Sequence, residues 1–283
     1  MTTGRLESHL RAQRAAGRKL LVPYITGYMD DWEEAVMACV ANGADAVEIG
    51  LPFSDPVMDG PVIQRASTRA LQRGATPAKI LDGVRRLQVS VPLVAMCYYN
   101  TVFRAGHERF AHNVAEAGIA GVIVPDLPLE EAVDWCAAAD SAGVETIMLA
   151  APTASDDRLA RIVHRARGFV YAVGLLGITG ERATLASTAV AIAGRVKRQT
   201  DLPTLVGVGV SNAEQACEAS RVADGVIQGA AVVRRLLDEG VESVAQFVAE
   251  VRGALDAEFF RRHASAGEHL GSRAGAASNL ATC

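Results

Sequence analysis

Lysine is scarce in this 283-residue chain: only Lys19, Lys79 and Lys197 are present. None stands at the C-terminal end of a predicted strand, where a Schiff-base or pyridoxal enzyme needs its amine. Imine chemistry is thereby excluded. The six histidines show no metal-ligand spacing: His9, His112 and His164 fall in helical stretches, His107 opens one, and His263 and His269 lie near the C-terminus. A zinc-dependent mechanism has no ligand set, and no metal is expected. The five cysteines, Cys39, Cys97, Cys136, Cys217 and Cys283, have no paired spacing and read as reduced thiols. No apolar run approaches the roughly 18 residues that would span a bilayer. Met1 to Gly17 is charged and lacks the apolar core of a secretion signal. No basic block points to nucleic acid or an anionic membrane, and the net charge is -4. The expectation is a cytoplasmic protein.

What remains is a chain that is half hydrophobic, enough for a large core. Short β-branched runs alternate with longer alanine-rich amphipathic stretches, the pattern of a parallel sheet covered by helices. Strands are predicted at Leu20 to Ile25, Ala46 to Ile49, Pro92 to Cys97, Gly121 to Val124, Glu145 to Leu149, Phe169 to Val173, Thr204 to Val206 and Gly225 to Gln228. Helices fill the intervals, with N-cap candidates such as Ser155 and Ser211. Eight such units match a closed (β/α)8 barrel, here with an extra N-terminal helix and a short helix after strand 8. The alternative is a doubly wound open sheet. It usually carries G-x-G-x-x-G after its first strand, whereas this chain has Thr26-Gly27-Tyr28-Met29. The last helix is expected to end near Arg261 or Arg262. That gives one barrel domain over residues 1–262 and a flexible tail rich in Ala, Gly and Ser over residues 263–283.

In a barrel of this kind the active site lies at the C-terminal ends of the strands. Four features stand there. In Ala46-Val47-Glu48-Ile49, alternation turns Glu48 into the barrel and its neighbours toward the helices. A carboxyl in an apolar mouth has a raised pKa suited to acid/base work, although an internal ion pair would place a Glu there too. The segment from Leu51 to Gly60 carries Asp55 and Asp59. One fits a turn cap and the other a reach over the mouth, and the sequence leaves open which does which. Aromatic residues make up only 5% of the chain, yet all five tyrosines (Tyr24, Tyr28, Tyr98, Tyr99, Tyr171) fall at or just after strand ends. That clustering suits either a flat, partly polar ligand or simple rim packing. Last, glycine-rich turns follow strands six to eight: Gly174 to Gly180, Gly207 to Ser211, and Gly229-Ala230-Ala231. Bare backbone N–H groups at a helix N-terminus there suit a phosphate. The residues thus describe carboxylate and tyrosine chemistry on a phosphorylated substrate.

The run Glu48-Ile49-Gly50-Leu51-Pro52-Phe53-Ser54-Asp55-Pro56-Val57-Met58-Asp59-Gly60-Pro61-Val62-Ile63-Gln64 closely resembles the signature of tryptophan synthase alpha chains. Met96-Cys97-Tyr98-Tyr99-Asn100, Gly121 to Pro128, Gly177-Ile178-Thr179-Gly180 and Gly207-Val208-Gly209-Val210-Ser211 match in the same order, and the resemblance covers about residues 5 to 255. It implies a lyase of tryptophan biosynthesis that cleaves indole-3-glycerol phosphate to indole and glyceraldehyde 3-phosphate without a cofactor. It also implies a pyridoxal-dependent beta-chain partner, in a tetramer of two alpha and two beta chains. By matching position, Glu48 would protonate the indole ring, Asp59 would hold the ring N–H, and Tyr171 would orient Glu48. Gly180, Gly209, Gly229 and Ala230 would receive the phosphate. Tyr24, Met96, Tyr98, Ile123, Leu149 and Thr179 would line the indole pocket. The chain departs from the family at Ala230, where a serine is common, and at Gly174-Leu175, where Ser-Arg is common. It departs also in the turn Gly27-Tyr28-Met29-Asp30 and at Gln228, where an apolar residue is common. A lyase that works without a beta chain, a non-catalytic regulatory subunit and another phosphosugar barrel are the competing readings.

Overall fold

The computed structural model describes residues 3–174, 187–207 and 209–276. Eight strands close into a barrel in sequence order: β1 (Leu20–Thr26), β2 (Val47–Gly50), β3 (Leu93–Met96), β4 (Ile119–Ile123), β5 (Glu145–Ala150), β6 (Val170–Ala172), β7 (Thr204–Val206) and β8 (Gly225–Gln228). Every neighbouring pair is parallel, and β8 closes onto β1. The eight strands read from β-branched runs are the eight that form, with ends shifted by two residues or fewer. The helices are α1 (Arg5–Ala15), α2 (Trp32–Ala41), α3 (Pro61–Gln72), α4 (Pro77–Arg86), α5 (Tyr99–Ala105), α6 (His107–Glu116), α7 (Val133–Ser141), α8 (Asp156–Arg165), α9 (Ser187–Lys197), α10 (Ala213–Ser220), α11 (Ala230–Asp238) and α12 (Val241–Ala276). Among the described residues no helix is long and apolar enough to cross a membrane.

Strand alternation divides the core in two. Inward residues, among them Val22, Val94, Ile123, Ile147, Phe169, Leu205 and Ile227, fill the barrel axis. Outward residues such as Leu21, Val47, Ile49, Val122 and Val226 pack against the helices. The axis is filled by side chains rather than water, as close packing requires. Its N-terminal end is plugged by Leu6 and Leu10 of α1. Gly4, which precedes this helix, offers no side-chain cap. Instead the Glu145 carboxylate of β5 accepts the Leu6 and Glu7 N–H groups at 2.7 and 2.9 Å. A strand residue thus caps the plug helix and ties it to the barrel.

Two sequence readings are corrected. Asn212, not Ser211, is the N-cap of α10: its side chain accepts the Gln215 N–H at 2.9 Å. Ser155 does cap α8. And α12 runs on to Ala276 rather than stopping at Arg261 or Arg262. Apolar periodicity reports burial, not helicity. The alanine-rich stretch after Ala264 holds no proline, so nothing in it must end a helix once the stripe of Val244, Phe247, Val248, Val251 and Leu255 has been buried.

Candidate active site

The C-terminal mouth of the barrel holds a cavity lined by Tyr24, Glu48, Asp59, Ile63, Met96, Tyr171, Gly207, Gly209, Val210, Ser211, Ile227, Gly229 and Ala230. Glu48 enters it from β2, Tyr24 from β1 and Tyr171 from β6, each on the inward parity of its strand. Tyr24 and Glu48 are register partners. Asp59 arrives from the segment before α3, and Gly229 is the N-cap of α11.

Two glycines shape the mouth. A Cβ on Gly50 would collide with the Tyr24 hydroxyl, and one on Gly207 with the Tyr171 ring. Each glycine therefore leaves room for a tyrosine of the neighbouring strand to lie across it. Tyr171 donates its hydroxyl to the Gly207 carbonyl at 3.3 Å, and burial holds its pKa well above the usual phenol range. It stays a neutral donor.

The two carboxyl groups differ in their surroundings. Glu48 is 1% exposed and its Oε2 has no hydrogen-bond partner. Burial, then the nearby Asp59 charge, push its pKa up to about 8. Asp59 is 4% exposed. Burial raises its pKa to about 6, against a lowering hydrogen bond from Tyr98. Between those values Glu48 carries a proton and Asp59 a negative charge. A proton donor thus stands beside a fixed anion, in a mouth whose described lining contains no lysine, arginine or histidine.

Known proteins resemble the chain over most of its length. The family model for the tryptophan synthase alpha chain matches residues 10–258. The chain is 44% identical over 262 residues to the tryptophan synthase alpha chain of Streptomyces coelicolor, covering 88% of this chain and 97% of that one. It is 48% identical over 210 residues to that of Methanosarcina mazei, covering 74% and 76%. Among solved structures, tryptophan synthase of Mycobacterium tuberculosis superposes with a TM-score of 0.84 at 37% identity, covering 90% of this chain and 99% of that one. The alpha subunit from Legionella pneumophila does so with a TM-score of 0.83 at 31% identity, covering 90% and 100%. The chain belongs to the tryptophan synthase alpha chain family.

Of the residues that the resemblance to alpha chains singled out, Glu48, Asp59, Tyr171, Tyr24, Met96, Gly209, Gly229 and Ala230 meet in one cavity. Thr179 and Gly180 lie outside the described residues. Ile123 is buried among the side chains that fill the barrel axis. Leu149 packs against that same core and lines a neighbouring cavity under the loops after β4 and β5. Tyr98 is not in the lining; it stands behind Asp59. Asp55 is the turn residue of its segment, exposed and accepting the Ser54 hydroxyl at 2.5 Å. The tyrosine cluster is smaller than its positions suggested. Tyr28 sits in a left-handed turn (φ 66°) with the Lys79 ammonium over its ring. Tyr99 opens α5 and pairs with His107 at 3.0 Å. Gln228 is fully buried, but it is outward on β8 and outside the cavity lining.

Two lining residues, Ile63 and Ile227, had no site role in the sequence reading, and Gly207, Val210, Ser211 and Ala231 had one only as members of the glycine-rich turns. Ile63 is one turn into α3, a position that only the fold brings to the mouth. Ser211 was assigned to capping, yet with Asn212 as the cap it faces the cavity beside Ala230, which has no hydroxyl of its own.

Proposed function

We propose that this barrel cleaves indole-3-glycerol phosphate to indole and glyceraldehyde 3-phosphate, with Glu48 as acid and base. The observation that carries the reading is the buried Glu48 carboxyl without a partner, held protonated near neutral pH beside an ionised Asp59. Glu48 delivers its proton to C3 of the indole ring. The ring nitrogen becomes cationic, and Asp59 accepts its N–H and opposes the new charge. The cationic ring is the electron sink. The bond from C3 to the glycerol carbon breaks, its electron pair restores the indole ring, and the hydroxyl on that carbon loses its proton to the Glu48 carboxylate as the aldehyde forms. Glu48 ends as it began. Tyr171 packs the wall beside Glu48, and the phosphate sits at the N-terminus of α11, against Gly229, Ala230, Gly209 and Ser211.

A partner surface lies on the same face. Val57, Phe103 and Val133 are 69%, 64% and 70% exposed, and they follow β2, β3 and β4 in turn. An apolar rim on three successive strand-end segments suits a docked protein, here a tryptophan synthase beta chain that receives the indole in a tetramer of two alpha and two beta chains. The test is indole release from indole-3-glycerol phosphate by the purified chain, with and without a cognate beta chain. Slow release that rises strongly with the partner is expected. Fast release that ignores the partner would make the chain a stand-alone lyase. No release in either condition would overturn the roles of Glu48 and Asp59.

A further inference from the structure

The segment between β2 and α3, residues 51–60, has no regular structure of its own, yet it must hold Asp59 still opposite Glu48. Its first residue is tied to the sheet, with Leu51 N–H on the Met96 carbonyl at 2.8 Å. Its last turn is tied to α3 through Gln64 Nε2 on the Asp59 carbonyl at 2.8 Å. Between these ties the exposed Ser54, Asp55 and Val57 give little packing. One side chain spans the gap. Tyr98, 3% exposed and the N-cap of α5 two residues past β3, stacks its ring on Phe53 with centroids 5.2 Å apart and planes at 25°. Its hydroxyl oxygen accepts the Met58 N–H at 2.9 Å. The same hydroxyl is hydrogen-bonded to the Asp59 carboxyl.

A phenol has one proton to give. The Met58 and Asp59 N–H groups donate to the oxygen, and the ionised Asp59 carboxyl can only accept, so that proton goes to Asp59. We infer that Tyr98 is a positioning residue that clamps both ends of the 51–60 segment and orients Asp59 through a Met58–Tyr98–Asp59 relay. This rests on the function proposed above. It gives Tyr98 a role behind the reacting groups rather than against the indole ring. The relay favours the ionised form of Asp59, because a carboxylate accepts the tyrosine hydrogen bond more strongly than a neutral carboxyl does. It thereby lowers the pKa that burial raises. Asp59 is kept anionic while the ring nitrogen turns cationic.

Tyr98→Phe tests this. The substitution keeps the ring, its stack on Phe53 and its burial, and removes only the hydroxyl. Turnover is expected to fall about tenfold, with KM changed about twofold or less, as for loss of one hydrogen bond to a charged group. The acid limb of the pH–rate profile should move up by about one unit. The loss should nearly vanish when Tyr98→Phe is made on top of Asp59→Asn, since there the carboxylate it serves is gone. An acid limb that stays put, or an equal loss in both backgrounds, overturns the relay. A second readout is independent of turnover: carboxyl 13C titration of Asp59 in the full-length protein. A rise in the Asp59 pKa in Tyr98→Phe supports the relay even if the chain released no indole, and an unchanged value overturns it even if the chain is an active lyase.

Discussion

Asp45 and Glu48 stand three residues apart around the start of β2, and both are almost fully buried, at 2% and 1% exposure. Asp45 faces the N-terminal end of the barrel. It accepts Arg18 Nε at 2.6 Å and the Leu21 N–H at 2.8 Å, and it pairs with Arg252 at 3.3 Å. Asp224, at the same end, accepts the Thr204 N–H at 2.9 Å and pairs with Lys197 at 2.8 Å and Arg14 at 3.3 Å. Glu48 faces the other end and has one carboxylate oxygen without a partner. Burial raises the pKa of both Asp45 and Glu48, but only at the C-terminal end is that penalty left without a cation to offset it. The lesson is a division of labour along the barrel axis: saturated carboxylates hold the fold, and an unsaturated one is available for chemistry. Substitutions at the two ends should therefore separate stability from turnover.

The largest effect on stability is expected at the saturated end. Asp45→Ala leaves Arg18 without its buried carboxylate, Arg252 with only Asp256 and the Lys19 carbonyl, and the Leu21 N–H without an acceptor. The cost should be about 3 kcal/mol, a fall in melting temperature of roughly 10 °C. At a temperature where the variant is folded, its turnover should stay within about twofold of the parent. Thermal unfolding and indole release on the same sample check both halves. A crippled turnover in folded Asp45→Ala would break the division between the ends.

Glu48→Gln is the converse. The amide fits the site but cannot move a proton, so turnover should fall by at least ~100-fold with the circular dichroism spectrum unchanged. The same variant carries a second signature. In the folded protein Glu48 holds its proton up to about pH 8, while in the unfolded chain it releases it near 4.5. Between those values the folded state binds more protons, so this group's contribution to stability falls as pH rises through the window. Glutamine removes that loss. The melting temperature of Glu48→Gln should match the parent near pH 4.5 and exceed it by several degrees at pH 8. A difference of the opposite sign at pH 8 would show that Glu48 is paired after all.

The catalytic end is the one that the sequence displays. Glu48 sits on a strand with clean alternation, and the glycines after β7 and β8 mark the proposed anion site by residue type alone. The eight strands are legible for the same reason: β-branched runs between amphipathic stretches have one periodicity each. What stayed hidden depends on direction rather than position. Tyr98 and Tyr99 are adjacent, but the first turns back over Asp59 while the second opens α5 and faces His107. Asp55 and Asp59 are separated by one turn of an irregular segment, and only the fold shows which is buried. Ser211 looked like a cap because Asn212 beside it is one. The ion pairs of the N-terminal end were invisible for a different reason: Asp45 and Arg252 are more than 200 residues apart in sequence and meet only when α12 closes over the barrel.

The cap of the plug helix sharpens the comparison at its weakest point, because Glu145 belongs to the saturated end without pairing with a cation in either of its two hydrogen bonds. Both of its oxygens accept backbone N–H groups of α1. Burial raises its pKa, and those N–H groups pull it back. Glu145→Gln keeps the side-chain length and one acceptor oxygen, but puts an amide donor where the second N–H needs an acceptor and removes the negative charge from the helix N-terminus. The cost should be about 1 kcal/mol, or a few degrees in melting temperature. The barrel mouth lies at the other end of β5, so turnover should be unchanged. Hydrogen exchange should speed up in α1 alone if the helix frays locally, and across β4 and β5 as well if Leu6 and Leu10 withdraw from the axis. The second outcome would mean that saturation by backbone groups alone is enough to hold the N-terminal end of the barrel shut.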